Sequence, residues 1–496
     1  SFASMERAVA LDPTNTVYLL SRAELANWTG QSDVAAESCE RFLLLHKDDR
    51  AALLLLARTR MWQGRLNESV VVYRKYLREH PEHAEAYLEY VKVEAWRGNF
   101  SRSTKVLKEY GRAFGNPAKV DREQARVYAS ADKPDAAMAL NEPLLKAAPG
   151  DFELQFTRAV ALHYDNRPRE AMATVGTLTV LRPDSLEAAG IRSFVEATLR
   201  PDVRLGARYY ADNDKIRITH EEISAGMRVR PETRVIAGAE ANLLRARKGS
   251  GLENVDGSED VEEGKLWVGL RHIFLPSLWA DVRTGHSEVK DVDKRLVYSA
   301  EVGIRPCDSL RLTLTRDIDY LLISPRSASV PVERTSSRAA MQWEPGLLHT
   351  IVGTVKWDEM NDGNSFQETV LAPRRSVLRR EAFNMDLGVR GIWSGYSRDL
   401  SSGYYDPADY RQYMLTMFGY WKLGYGCGLG MMASGGYYRD NTMADYSFGW
   451  GADAELTVGA FSDWMFKLSA HAMENKRDVG DPFQAYAAST SLSRRF

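Results

Sequence analysis

Hydrophobic positions follow two different periods along this chain, and the period changes close to Pro201. Before that residue, apolar side chains recur every three to four positions, which is typical of packed amphipathic helices. After it, they alternate with polar ones, which is typical of β-strands with one apolar face. The clearest alternating runs lie at 203–210, 278–283, 310–315 and 448–458. We therefore predict an α + β protein with two domains, a helical one over 1–200 and a β domain over 201–496.

The helical part carries an internal repeat of 34 residues, seen in four independent series. Positions after the second helix are Pro13, Lys47, Pro81, Gly115, Pro149 and Pro183. Turn positions between the two helices are Gly30, Gly64, Gly98, Asp132 and Asn166. Small residues of the second helix are Ala35, Ser69, Ser103, Ala137 and Ala171, and aromatic residues two positions before the turn are Trp28, Trp62, Trp96 and Tyr164. This period indicates tetratricopeptide repeats, which stack into an α-solenoid whose concave face typically binds other proteins.

The same spacing locates the ends of the solenoid. Ser1 lies one period before Ala35, so we expect the chain to open within the second helix of a repeat. About five repeats follow and end near Arg200. Because a truncated edge would expose an apolar helix face, we expect further repeats before Ser1 in the natural protein.

The alternating part predicts a 16-stranded antiparallel transmembrane β-barrel. In its last run, 483–496, a mostly apolar face opposes a small polar one and the aromatic Phe496 closes the strand. The run is long enough for a tilted crossing of a bilayer. The predicted strands lie near 203–211, 217–230, 233–247, 264–275, 278–289, 295–306, 309–320, 332–344, 348–360, 366–377, 382–399, 409–421, 424–439, 445–458, 462–475 and 483–496. The tenth, which contains Pro373, departs most from the pattern.

Short and long connections alternate between these strands. Tight breaks such as 231–232 and 276–277 contrast with longer polar stretches such as 247–263 and 324–332. This asymmetry matches the periplasmic turns and extracellular loops of outer-membrane barrels, and sixteen strands leave room for an aqueous channel. Aromatic residues near predicted strand ends, where interfacial girdles lie, are Tyr404, Tyr405, Tyr410, Tyr413, Tyr420, Trp421, Tyr437 and Tyr438. A soluble β-sandwich is the competing interpretation, but it needs neither such long alternation nor an aromatic chain end.

Composition excludes several classes of function. The formal net charge is -2, so electrostatics gives no support for a nucleic-acid partner. Every apolar run is shorter than the ~20 residues that a transmembrane helix requires. The three cysteines are far apart and the histidines lack ligand spacing, so we expect no metal and no cofactor. We also expect no catalytic residues, and hence no enzyme.

If the apolar strand faces meet lipid, the opposite faces line a pore, and their charged residues are candidates for contact with a transported polymer. These candidates are Glu222, Glu240, Asp281, Arg283, Glu301, Arg311, Asp317, Asp386, Arg390, Asp453 and Glu455. Residues 201–496 contain 37 basic and 40 acidic side chains, which does not favour a conduit for a strongly anionic polymer. For any single residue, a salt-bridged and solvated wall is the simpler interpretation.

Two local patterns refine this view of the pore. Asp453 and Glu455 lie two positions apart on one face and are the best linear indication of an acidic patch. Alternate glycines over 424–430 predict an inner stripe without side chains. Such a stripe leaves space for a polymer or an inward loop, or it eases strong curvature of the sheet.

The order of the two domains resembles that of the bacterial exopolysaccharide export porins for Pel, poly-N-acetylglucosamine and cellulose. The segment 402–410 also looks like the Gly-aromatic-aromatic-x-Pro-x-x-Tyr signature near the end of such barrels. The matching residues are Gly403, Tyr404, Tyr405, Pro407 and Tyr410. The resemblance covers the whole chain as an architecture, and the motif covers only this short segment.

The resemblance implies passive secretion of a biofilm polysaccharide through a barrel in the bacterial outer membrane. It implies an exopolysaccharide chain and outer-membrane lipid as partners, and a polymer supplied indirectly by an inner-membrane synthase complex. It also implies that periplasmic repeats dock a polymer-modifying enzyme or a lipoprotein. A mixed lumen favours a neutral or partly cationic amino-sugar polymer of the Pel or poly-N-acetylglucosamine kind. On that hypothesis, changing Asp453 and Glu455 to alanine reduces export without disturbing barrel assembly.

Three other functions remain open at this point. A protein-translocation or assembly barrel would use its repeats to recruit a protein client. A general porin would pass small solutes without loop gating. A soluble scaffold would not fractionate with the outer membrane.

Overall fold

The structure is a computed structural model that describes residues 2–400, 402–424, 426–477 and 481–496. In these residues, helices occupy the first part and a sheet of sixteen strands occupies the second. The chain divides into two compact units. The first is Ser1–Thr157 with Arg379–Ala382, and the second is Arg158–Leu378 with Phe383–Phe496.

Helices follow one another in antiparallel pairs, as the 34-residue period predicts. Their bounds are α1 Phe2–Leu11, α2 Thr16–Trp28, α3 Ser32–Leu45, α4 Arg50–Trp62, α5 Leu66–Glu79, α6 Ala84–Trp96, α7 Phe100–Phe114, α8 Pro117–Ser130, α9 Pro134–Ala147, α10 Phe152–Tyr164, α11 Pro168–Leu181 and α12 Leu186–Glu196. The helix α1 is the second member of an incomplete repeat, five pairs follow from α2 to α11, and α12 ends the series. Among the described residues, none of the helices combines the length and the apolar character needed to cross a membrane.

The turn between the paired helices explains one of the periodic series. Gly30, Gly64 and Gly98 have φ near 75°, and Asp132 and Asn166 have φ of 55°. A residue in this left-handed region ends the first helix and redirects the chain, and Gly, Asp and Asn adopt the region at the lowest cost. The series therefore reflects a backbone requirement at one point of each repeat.

The small residues of the second helices explain another series. All five, from Ala35 to Ala171, are fully buried. Ser69 Oγ donates a hydrogen bond to the carbonyl of Ala57 at 2.8 Å, and Ser103 Oγ donates to the carbonyl of Val91 at 2.8 Å. Each bond joins the two helices of one repeat, so a small side chain permits the close approach that the pair needs.

The sixteen strands form one closed antiparallel barrel. Their bounds are β1 Asp202–Asp212, β2 Ile216–Arg230, β3 Thr233–Ala246, β4 Asp260–Leu275, β5 Leu278–Val289, β6 Asp293–Cys307, β7 Leu310–Tyr320, β8 Glu333–Trp343, β9 His349–Met360, β10 Ser365–Arg379, β11 Phe383–Tyr396, β12 Tyr410–Gly424, β13 Cys427–Asp440, β14 Ser447–Val458, β15 Trp464–Asn475 and β16 Phe483–Arg495. The barrel closes where β1 pairs with β16, with Asp202 opposite Arg495. Closure gives the backbone N–H and C=O groups of every strand a hydrogen-bonding neighbour, which a sheet in lipid requires.

Strand boundaries differ from the predicted ones at a few places. The fourth strand begins at Asp260 instead of 264, so part of the predicted loop is sheet. The tenth strand is continuous through Pro373, which lies opposite Ile351 of β9. The change of period predicted a boundary after 200, and β1 begins at Asp202.

The two ends of the barrel have different connections. We call the end with the connections 231–232, 276–277 and 459–463 the turn end. We call the opposite end, which carries 247–259 and 321–332, the loop end.

The last helices belong to the second unit and are attached to the turn end. The guanidinium of Arg305 in β6 pairs with the carboxylate of Asp165, which follows α10, and both side chains are buried. Arg200 pairs with Asp463 at 2.7 Å and donates to the carbonyl of Phe496 at 3.0 Å. The compact units divide after Thr157 for this reason, because α11 and α12 pack with the barrel.

Candidate transmembrane channel

One ion pair identifies the inner face of the barrel, because it joins strands that are separated by two others. Lys265 Nζ of β4 lies 2.6 Å from Asp319 Oδ2 of β7, and side chains of such distant strands converge on the concave side of a closed sheet. The pair between Arg234 of β3 and Asp202 of β1 lies on the same face by register. The strand register then assigns every second residue of each strand to the same inner face.

All the candidate residues predicted from sequence lie on this inner face. The register places Glu222 opposite Glu240, and Glu240 opposite Lys265. Asp281 lies opposite Glu301, and Asp317 lies opposite Ser336. The remaining candidates, Arg283, Arg311, Asp386, Arg390, Asp453 and Glu455, follow from the same alternation.

Many of the inner carboxylates have a cationic partner within reach. Arg204 Nε lies 3.1 Å from Glu222, Arg283 Nε lies 3.1 Å from Asp281, and Arg334 lies 3.3 Å from Asp317. Lys265 Nζ lies 3.4 Å from Glu240, so Glu240 and Asp319 share this one cationic partner. Asp386 accepts a hydrogen bond from Ser376 Oγ at 3.1 Å and also lies 4.0 Å from Arg374 Nε. Among the inner bases, Arg390 donates to Gln412 at 3.4 Å. The wall therefore alternates in charge sign over short distances.

Each acid of the predicted patch also has a partner, a histidine for Asp453 and a lysine for Glu455. Asp453 Oδ1 lies 2.7 Å from His471 Nδ1, and Glu455 lies 3.5 Å from Lys467 Nζ. Both partners come from the neighbouring strand β15, which sequence spacing alone does not reveal. The two acids thus form one half of a cluster that also contains a histidine and a lysine.

Aromatic rings lie over glycines on the inner wall. The ring of Trp279 lies directly over Gly303, and a side chain on Gly303 would overlap it. Trp267 lies between Gly238 and Gly285, with its Cζ2 only 2.6 Å from where a Cβ on Gly238 would stand. The glycines therefore provide the space in which these half-buried rings lie against the wall.

The glycine stripe predicted over 424–430 follows this rule and is not an empty groove. The hydroxyl end of Tyr420 occupies the position where Gly428 would carry a side chain, and the ring of Phe418 lies near Gly430. Gly424 and Gly426 lie at the β12–β13 turn. The stripe is filled by neighbouring rings, because these rings project across the strand.

A small cavity of about 160 Å³ opens on this wall beside Trp267. Its polar lining includes Glu240, Lys265, Arg283 and Asp319. The Arg283 guanidinium carbon lies 5.1 Å from the centre of the Trp267 ring. Asp317 also lines it, so an aromatic surface, three acids and two bases meet within one niche.

The loop end of the channel is covered by the connection between β7 and β8, which contains α13 Pro325–Ser329. We call residues 321–332 the α13 loop. Ala328 of this loop belongs to one buried apolar cluster with inner-face residues of three other strands, Leu244, Val261 and Val289. These strands are not neighbours of β7 or β8, so the loop reaches inward over the mouth of the barrel.

The family-like motif lies in the β11–β12 connection and holds the α13 loop from the other side. Ser324 Oγ donates a hydrogen bond to the carbonyl of Gly403. Gly403 has φ of 87°, and a Cβ there would stand 2.5 Å from the Cβ of Arg326. The motif requires glycine at this position both for its conformation and for the close approach of α13.

The other motif residues anchor the connection itself. The Tyr404 hydroxyl donates to Asp362 at 2.8 Å, and the Tyr405 hydroxyl donates to Asp440. The carbonyl of Pro407 accepts a hydrogen bond from the Tyr396 backbone at 2.9 Å. The Tyr410 ring packs against the Tyr438 ring, with centroids 5.9 Å apart.

Asp406, within the motif, is a buried carboxyl outside the strands. It accepts hydrogen bonds from the backbone of Leu400 at 2.6 Å and from Asn364 Nδ2 at 3.3 Å. Burial raises the pKa of Asp406, and the backbone hydrogen bond only partly opposes this. The motif therefore contains a titratable group at the mouth of the channel.

Several residues of this site were not predicted as channel residues. Trp267, Trp279 and Lys265 face the interior, and Tyr410, Tyr420 and Tyr438 do so as well, although the last three were predicted in interfacial girdles. A signal for the covered mouth does exist in the sequence. At the loop ends of β2 to β5 the alternation reverses, with apolar residues on the inner face and charged ones outside: Ile218, Leu244, Val261 and Val289 against Arg217, Arg245, Glu262 and Glu288.

The chain is similar in structure to several known proteins. No protein-family model matches the chain, and no curated protein matches it. A solved structure described as a bacterial polysaccharide outer membrane secretin is similar with a TM-score of 0.50 at 11% identity, covering 60% of this chain and 99% of that one. A tetratricopeptide repeat protein from Parabacteroides merdae matches 40% of this chain and 78% of its own, at 17% identity and a TM-score of 0.37. OpdK of Pseudomonas aeruginosa matches 60% of this chain and 98% of its own, at 12% identity and a TM-score of 0.34.

The chain joins a tetratricopeptide-repeat solenoid to a closed sixteen-stranded β-barrel. The architecture predicted from the repeat period and the alternating strands is thereby confirmed. A soluble β-sandwich is excluded, because the sheet closes on itself and presents large apolar side chains on its outer face, such as Leu266, Leu296 and Leu415. The protein is a barrel channel with a repeat domain.

Proposed function

We propose that this protein exports an exopolysaccharide through its barrel, across the bacterial outer membrane. The observation that carries the proposal is the inner wall on which Trp267 and Trp279 lie over glycines. Sugar rings have apolar C–H faces that pack well on indole faces, and protonated amino groups are attracted to the same faces. A wall of this kind offers repeated weak contacts along the path of a sugar chain.

The charges of the wall favour a neutral or partly cationic amino-sugar polymer. Inner acids and bases neutralise one another in pairs such as Arg204–Glu222 and Lys265–Asp319. A strongly anionic chain would meet repulsion at every acid without a compensating basic excess. Carboxylates in the more exposed pairs, such as Arg204–Glu222, exchange partners easily with an ammonium group because exposed ion pairs are weak.

The covered mouth favours an exporter over a general porin. The α13 loop and the motif connection meet across the loop end, through Ser324 and Gly403. A solute pore needs an open mouth at all times, whereas an exporter opens only for its polymer. We therefore expect low ion conductance until these loops move.

The proposal gives each end of the barrel a side of the membrane. We place the turn end, with α11 and α12 attached, in the periplasm and the loop end outside the cell. The solenoid then docks a periplasmic polymer-modifying enzyme or lipoprotein, as repeats of this class bind partners on their concave face. An inner-membrane synthase supplies the polymer, and the protein itself performs no catalysis.

The test measures polysaccharide export in a strain from which the protein has been deleted. The strain is complemented with the natural chain, with W267A/W279A, or with W357A, whose indole lies on the outer face. We expect W267A/W279A to lower the secreted amino sugar about tenfold, because two stacking sites are lost. W357A is expected to export normally, and outer-membrane fractionation must show equal amounts of all three barrels.

Other results would favour the rival functions. Secreted polysaccharide that stays constant in the deletion strain, with loss of outer-membrane proteins instead, would support an assembly barrel. High conductance of the unmodified protein in planar bilayers would support a general porin. Either result would overturn the proposal.

A further inference from the structure

Three tryptophans occupy the same place in three successive repeats of the solenoid. Trp28, Trp62 and Trp96 each end the first helix of a repeat, in α2, α4 and α6. All three are exposed, with 87%, 56% and 53% of their surface accessible. Large apolar side chains exposed singly are common, but three at one repeated position call for a binding role.

The packing of the repeats does not account for these side chains. The helix core uses other positions, such as the fully buried Ala26 in α2 and Val93 in α6. The glycine two residues after each tryptophan takes the left-handed conformation, so each ring stands at the same point beside its turn. Exposing an indole forgoes the burial energy that the same side chain would gain in a core. The repetition therefore indicates selection for the exposed rings themselves.

Polar side chains next to the tryptophans in sequence join successive repeats. Asn27, beside Trp28, donates to Thr59 Oγ1 at 2.8 Å, and Gln63, beside Trp62, donates to Asp33 at 2.7 Å. A protein interface has a contiguous dry centre in which its anchor residues cluster. Here one exposed ring recurs per repeat, next in sequence to a hydrogen-bonded polar residue at Trp28 and Trp62, which suits a ligand that repeats along its length.

The chemistry of these platforms fits an amino-sugar chain. Each indole offers a flat apolar face for a sugar ring and attracts a protonated amino group through the cation–π interaction. Residues 1–157 contain 22 basic and 22 acidic side chains, so net charge neither attracts nor repels a polyion. Successive repeats are rotated relative to one another, and a flexible chain can follow that rotation.

The next repeat provides an internal contrast. One period after Trp96, the position holds Ser130, at the end of α8. One period later it holds Tyr164, which packs against Phe194 with centroids 6.0 Å apart. The exposed series is thus confined to three repeats.

We propose that Trp28, Trp62 and Trp96 form a stacking ladder that binds the exported amino-sugar polymer on the solenoid. This inference rests on the proposed function, because that function supplies the polymer. It adds a second binding site, separate from the wall inside the barrel. The ladder would hold the chain by several weak contacts that form and break independently.

Binding of partly deacetylated hexosamine oligomers to the full chain in detergent provides the test. We expect W28A/W62A/W96A to weaken binding at least about tenfold, and the corresponding triple change to phenylalanine to retain most of it. L44A/V71A removes two other exposed apolar side chains of the solenoid and is expected to leave binding unchanged. S130W would add a fourth platform and is expected to tighten binding.

A second readout separates this inference from the proposed function. Block of ion conductance by the same oligomers, measured after the α13 loop is removed, reports the barrel site alone. W28A/W62A/W96A is expected to keep this block, and W267A/W279A to lose it while the solenoid still binds. Unchanged oligomer binding by the folded triple alanine variant would overturn the ladder. If the triple alanine variant instead lost binding to lipid vesicles or to a periplasmic protein, the ladder would also be overturned. The rings would then be assigned to that partner.

Discussion

Different interactions hold the segments attached to the two ends of the barrel. At the turn end, the buried ion pair between Arg305 and Asp165 attaches the last repeat to the strands. At the loop end, Ser324 and Gly403 join the α13 loop to the motif connection through a neutral hydrogen bond. Opening a buried ion pair leaves uncompensated charge and costs several kcal/mol, whereas a neutral hydrogen bond contributes only about 1 kcal/mol. The difference indicates a permanent joint at one end and a movable cover at the other.

The largest expected effect comes from removing the buried positive charge of Arg305 at the turn end. R305A leaves the carboxylate of Asp165 buried without its main partner, and we expect it to destabilise the second unit by about 3–5 kcal/mol. R169A removes an exposed partner of Glu232 at the same end and is expected to cost less than about 1 kcal/mol. Thermal unfolding and protease cleavage in α11 and α12 measure both. Equal effects of the two variants would contradict a permanent joint.

A second change tests the movable cover. G403A adds a Cβ against Arg326 at a position with φ of 87°, and we expect a cost of about 1–3 kcal/mol that falls on the closed state. That cost corresponds to a rise of about fivefold to 150-fold in the ratio of open to closed channels, seen as conductance in planar bilayers. G346A is the matched control, because its φ is 101° but nothing lies within 4 Å of the added Cβ. Similar conductance of the two variants would show that the contact with α13 does not hold the mouth closed.

The smallest expected effect is a dependence on pH of the stability of the closed mouth relative to the open one. Burial raises the pKa of Asp406 in the closed state, and Asp399 and Asp362 add to the rise. A carboxyl whose pKa is raised binds its proton more tightly when closed than when open. The closed state is therefore most stable below the ordinary carboxyl pKa of about 4, and stability is lost as the pH rises through the raised value.

Conductance measured over this pH range provides the test. We expect the open fraction to rise with pH in the natural chain and to be flatter in D406N, which cannot titrate at this position. D256N changes an exposed carboxylate in another loop and is expected to keep the natural profile. A profile that falls with pH would contradict the assignment.

Much of the fold was predictable because both periods have a direct physical cause. Lipid outside and water inside impose alternation on each strand, so the predicted strands agree with the structure to within a few residues. Helix pairing imposes the small residues such as Ser69 and Ser103, and the left-handed turn imposes Gly30 or its equivalents. Each of these causes acts within one strand or one repeat, where the sequence displays it directly.

The arrangement of the channel was less predictable because it depends on distant strands. Lys265 and Asp319 meet across the cylinder, and no local pattern pairs them. The rings of Trp267 and Trp279 were missed because the glycines beneath them lie on neighbouring strands. The covered mouth was missed for a different reason: its sign is a reversal of the very alternation that identified the barrel.

That reversal has a consequence for how the channel opens. When the α13 loop lifts, Leu244, Val261 and Val289 of the adjacent strands β3, β4 and β5 lose their cover and form an apolar patch on one side of the exit. Water solvates this patch poorly, so the empty channel favours the shut form. On the proposed function, an emerging sugar chain would cover the patch with its own C–H faces, and the polymer itself would then keep the exit open for as long as it passes.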